Sequence, residues 1–63
     1  MSDVLKHLSK KVQDEIEVIS ADLARGTAKD HGDYKYACGI IRGLMITNGF
    51  IEEIAQRMEQ DDD

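Results

Sequence analysis

An apolar side chain returns through the first third of the chain at Leu5, Leu8, Val12, Ile16, Ile19 and Leu23. The gaps of 3, 4, 4, 3 and 4 follow the 3.6-residue turn of an α-helix, not the two-residue alternation of a strand. Such a stripe covers one side only, so the helix must lay it against a second element. The spacing predicts a helix over about residues 3–25. Ser2 is placed to cap it, with Asp3 in the first turn, where a negative charge suits the helix dipole. Gly26 fits the left-handed position that ends a helix, with Arg25 in the last turn.

Thr27-Ala28-Lys29-Asp30 reads as a capping box that opens a second helix over about residues 28–59; a start at Asp30, with Asp33 three residues on, has the same chemistry. A connection this short makes the two helices antiparallel neighbours. The expected fold class is therefore all-α, an antiparallel helical hairpin over residues 1–60 followed by an acidic tail at 61–63. Asn48-Gly49 leaves an alternative, a break that folds residues 50–60 back as a third helix. A continuous helix is favoured, because one glycine costs only about 1 kcal/mol. With the turn at Gly26 and Thr27, level positions on the two helices sum to about 53 by simple reflection. Met45 then faces Leu8, and residues beyond about 51 overhang the first helix.

The second helix is apolar on more than one side. Tyr34, Cys38, Ile41, Met45 and Asn48 form one face, with Tyr36, Ile40, Leu44 and Ile51 around from them. One neighbouring helix cannot cover both, so self-association into a helical bundle is expected. Length points the same way. A chain of 63 residues buries only about 60% of its unfolded surface. Cys38 is the single cysteine and cannot bridge within the chain. The surface expected to meet a second chain comprises Tyr36, Ile40, Gly43, Leu44, Ile51, Ile54 and Met58. Gly39 and Gly43 form a Gly-x-x-x-Gly pair that permits close approach, either to the first helix near Val12 or Ile16 or to another subunit.

Other candidate sites are weighed against simpler roles. Cys38 lies between Ala37 and Gly39 in the most apolar stretch, which favours a packed cysteine over a reactive one. His7 and His31 are 24 residues apart, with no other ligand at metal spacing, so no metal and no cofactor are expected. Arg42 interrupts the apolar run, and Asp14 or Glu15 is its expected partner in a buried ion pair unless it reaches solvent. Phosphate loops, paired-carboxylate clefts and nucleophile elbows are missing from the sequence, which argues against an enzyme. The net charge is −5, and Asp61, Asp62 and Asp63 supply three of those charges. The nearly balanced body fits neither a nucleic-acid binder nor a DNA mimic. The longest apolar run, 36–46, contains Arg42 and falls well short of the roughly 20 residues of a membrane span. A soluble, cytoplasmic protein is expected.

Ala24-Arg25-Gly26-Thr27-Ala28-Lys29-Asp30, followed by Asp33-Tyr34-Lys35-Tyr36 and Gly39-Ile40-Ile41-Arg42-Gly43-Leu44, resembles short helical proteins of tailed bacteriophages. The resemblance covers the middle third of the chain and implies a product made in the bacterial host cytoplasm that enters assembly or the virion. It carries over no functional residue. Two functions are consistent with this sequence. One is a non-enzymatic, oligomerising assembly or structural component that binds itself and a virion protein. The other is a small phage regulator that binds and inhibits a host protein.

Overall fold

In a computed structural model, which describes residues 2–61 and the side chains of 3–59, the chain folds as two α-helices. Helix α1 spans Ser2–Ala24 and helix α2 spans His31–Asp61. They lie antiparallel as a hairpin of 51 × 15 × 11 Å. The expected Ser2 side-chain cap and the acidic tail at 61–63 lie outside the described side chains. Helix α2 runs without interruption through Asn48 and Gly49, so the three-helix alternative is not adopted.

Local chemistry sets both ends of the link. Gly26 has φ +79°, the left-handed conformation expected of it. Its N–H donates to the Leu23 carbonyl at 3.0 Å, and the Thr27 N–H donates to the Asp22 carbonyl at 3.3 Å. These two bonds form a Schellman cap, which satisfies carbonyls that the end of α1 would otherwise leave open. The Thr27 hydroxyl adds a 2.8 Å bond to the same Asp22 carbonyl, so Thr27 completes the first helix and does not open the second. Asp30 takes that role: its carboxylate accepts from the Asp33 N–H at 2.8 Å, and α2 begins at His31 instead of 28. The Asp33 carboxylate accepts in turn from the Lys29 N–H at 3.3 Å.

Replacing Gly26 with Val should lower hairpin stability by about 2 kcal/mol or more, because a branched L side chain pays for the left-handed conformation. Open space around this position removes steric clash as a competing cause. Thermal melts at fixed protein concentration measure the loss, with Gly26→Asn as the milder control. An unchanged melt would mean that the helix end does not depend on this conformation.

The seam between the helices is built from Leu5, Ser9, Val12, Ile16, Ile19 and Leu23 on α1. Ala37, Ile41, Leu44, Asn48, Ile51, Ala55 and Met58 meet them from α2. Both sets repeat at 3 and 4, the spacing of one helical face. The α1 stripe passes through Ser9, whereas the sequence pointed to Leu8. Leu8 is pushed to the edge and is 44% exposed.

Ser9 is the one buried residue among those described, at 8% exposure. Its hydroxyl donates to Asn48 Oδ1 at 2.6 Å and accepts from Gln13 Nε2 at 3.0 Å. Asn48 Nδ2 donates onward to Glu52 at 3.1 Å. A four-residue hydrogen-bonded chain therefore crosses the seam.

With Ser9 facing Asn48, level positions sum to 57 instead of 53. This corrects three expectations. Leu8 lies level with Gly49, and Met45 is turned outward at 60% exposure. Helix α1 reaches about residue 55, which shortens the overhang from about ten residues to about six. The buried pair of Arg42 with Asp14 or Glu15 does not form. Arg42 is exposed, and Asp14 is bonded at the surface to Lys10 at 3.1 Å. Glu15 is level with Arg42, but the helical phase of the two residues carries them to opposite sides of the hairpin.

Candidate interaction surface

The α2 side chains divide into two apolar stripes about 100° apart around the helix. The first is spent on α1. The second runs Tyr36, Ile40, Gly43, Thr47, Phe50 and Ile54, with spacings of 4, 3, 4, 3 and 4. All six residues are exposed in the hairpin, Tyr36 to 74%, Phe50 to 60% and Ile54 to 50%. Among the described residues, no element covers this apolar stripe.

Of the residues expected to meet a second chain, Tyr36, Ile40, Gly43 and Ile54 lie on this uncovered stripe. Leu44, Ile51 and Met58 belong to the first stripe, on the shoulder nearer the second, and are half-buried. The sequence reading missed Phe50 and Thr47. Phe50 stands directly after Asn48-Gly49, and in the sequence the apolar pattern resumes at Ile51. Thr47 reads as polar, yet its hydroxyl donates to the Gly43 carbonyl one turn earlier, at 2.8 Å. That bond satisfies the oxygen within the helix and leaves the methyl group to the surface.

The glycines sharpen the picture. A Cβ built on Gly39 or Gly43 would meet nothing within 4 Å. The close approach expected of this pair is therefore not to α1. Nothing within the hairpin explains why α2 carries glycine on that side, where each lowers helix propensity by about 1 kcal/mol.

The remaining faces are less organised. A shallow groove follows one side of the seam, between Lys6, Lys10 and Gln13 of α1 and Glu52, Gln56 and Glu59 of α2. Its charges are mixed and its polar groups do not converge. Helical phase puts Val4 and Leu8 on the other side, beside Phe50 and Ile54. Val18 stands alone on the back of α1.

Cys38 is half-buried at the seam edge, not enclosed as expected. Tyr34, one turn before it, has its phenol pKa raised. The first cause is the hydrogen bond between the two side chains and the second is repulsion from the cysteine once it is charged. His31 stacks on Tyr34 with ring centres 6.4 Å apart. Among the described residues, no three His, Cys, Asp or Glu side chains converge on a common point. No described helix is long and apolar enough to cross a membrane.

Comparison with family models, with curated proteins and with solved structures returned no match.

Proposed function

We propose that this chain is a non-enzymatic helical interaction protein whose first partner is a second copy of itself, and that it serves as a phage assembly or structural component. The observation that carries the reading is the uncovered stripe from Tyr36 to Ile54, set beside a seam that, among the described residues, encloses no apolar side chain. The exposed surface is 5055 Å². A compact monomer of this mass would expose about 4,100 Å². The excess of roughly 1,000 Å² per chain, doubled, reaches the total that stable protein interfaces bury.

Energetics agree. Burying Tyr36, Ile40, Phe50 and Ile54 from both chains, on average already about half covered, is worth roughly 6–12 kcal/mol at about 1.5–3 kcal/mol per full side chain. Half-exposed shoulder residues add to this. Association itself costs about 4–15 kcal/mol, so the two ranges overlap and the affinity is set by how fully the stripe and its shoulders are buried. The phage assignment rests on the motif resemblance alone.

Light scattering or sedimentation at tens of micromolar should give twice the chain mass, with a smaller species appearing on dilution. A well-folded monomer at that concentration would end the self-association reading. Mass spectrometry of purified particles tests the assembly role: a fixed copy number per virion supports it, and absence from particles counts against a structural part.

A further inference from the structure

We infer that two copies join through α2 against α2 in antiparallel orientation, about a two-fold axis level with position 45. The inference rests on the self-association proposed above and specifies its geometry.

The exposed stripe is self-complementary when reversed. Tyr36 and Ile54, Ile40 and Phe50, and Gly43 and Thr47 are each spaced evenly about position 45. Reversing one helix on the other sets Tyr36 against Ile54 of the second copy and Ile40 against its Phe50. At the centre, Gly43 meets Thr47 of the second copy. Every large side chain meets a large one, and the smallest residues fall where the helix axes cross. A glycine there lets the backbones approach closely. This accounts for the open space at Gly43 and for the Thr47 hydroxyl that turns back into its own helix.

Charge selects the same orientation. Asp33 and Lys35 flank one end of the stripe, and Glu53 and Arg57 flank the other. The antiparallel seam brings Asp33 level with Arg57 of the second copy and Lys35 within two residues of its Glu53, so each end gathers two charges of either sign. A parallel, in-register seam would set each of these charges beside its own copy. Like charges across a helix interface are unfavourable. The same two-fold axis puts both α1 helices on one side, where Val4 and Leu8 project, and closes a four-helix bundle.

Cysteine pairing reads the geometry. In a Cys38→Ala background, Tyr36→Cys and Ile54→Cys are prepared singly, mixed under reducing conditions, exchanged and then oxidised. Within one helix these positions are about 27 Å apart, so any bond between them joins two chains. The mixture should cross-link, and either variant alone should not. Strong cross-linking of each variant with itself would mean a parallel seam and overturn the inference. A reduced protein that is dimeric but cross-links in no combination would overturn it too, while leaving self-association standing. A wild-type monomer at tens of micromolar removes the reading beneath it.

Charge exchange supplies a second measurement in case the cysteines weaken the seam. Lys35→Glu and Glu53→Lys should each raise the dimer dissociation constant roughly 2- to 30-fold, and the double variant should restore it. Failure of the double variant to recover counts against the antiparallel register.

Discussion

Phe50→Asp together with Ile54→Asp should convert the protein to monomer at micromolar concentration and lower its helical signal. Both side chains lie on the uncovered stripe, and neither packs into the α1 seam. The pair removes four half-exposed apolar groups from a dimer, worth roughly 3–6 kcal/mol, and puts carboxylates in their place. A loss of about 3 kcal/mol alone corresponds to more than a hundredfold in dissociation constant. Met58→Asp is the poorer choice, because Met58 lies off the exposed stripe and is already half-buried. Val18→Asp is the matching control, an equally apolar and exposed residue on the back of α1. Sedimentation at several concentrations reads the outcome. Equal effects of the α2 pair and the Val18 control would show that the stripe has no special standing.

The second large effect concerns the polar link across the seam. Ser9→Ala should destabilise the hairpin by about 1–3 kcal/mol, because Asn48 Oδ1 loses its donor while remaining half-buried, and Gln13 loses its acceptor. Ser9→Ala combined with Asn48→Leu should recover that loss or exceed it, since an apolar pair leaves nothing unsatisfied. The recovered protein should nevertheless hold its helices less uniquely. A smooth apolar seam can slide by one turn, whereas a single polar contact rewards one alignment. Chemical denaturation measures the first effect, and the distance distribution between spin labels on α1 and α2 measures the second. A Ser9→Ala melt equal to that of the parent, or a double variant with an equally narrow distribution, would remove Ser9 and Asn48 as the pin.

That link also marks where sequence reasoning stopped. The α1 stripe from Leu5 to Leu23 was legible because its period is set by the helix itself, and Gly26 was legible because few residues accept its conformation. Continuity through Asn48-Gly49 followed from the small cost of one glycine against the pattern on either side. The start of α2 was misplaced because Thr27 and Asp30 carry the same capping chemistry. Only the geometry of the α1 terminus shows that Thr27 is already bonded to Asp22.

Register was the deeper miss. Periodicity states which face is apolar, but it is silent on how two such faces slide along each other. The contact that sets the alignment joins Ser9 and Asn48, two polar residues that an apolar pattern passes over. The Arg42 pairing failed with it, because an error of one turn moves every proposed partner. The second α2 face was drawn through Tyr36, Ile40, Leu44 and Ile51, of which Tyr36 and Ile40 lie on the exposed stripe while Leu44 and Ile51 turn toward α1. It was incomplete at Thr47, whose hydroxyl reads as polar, and at Phe50, which the pattern resuming at Ile51 passes over.

A seam that, among the described residues, encloses only Ser9 affects the lifetime of the chain as well as its shape. Amide protection in small domains is strongest beneath fully enclosed side chains, and the described part of this hairpin has no apolar side chain in that position. A lone hairpin therefore opens often along its whole length and offers cleavable backbone each time. When cleavage is slow relative to closing, degradation follows the open population. Copies held in an assembly would persist, and copies made in excess would be cleared. Stoichiometry would then be set by survival, with no separate regulator needed.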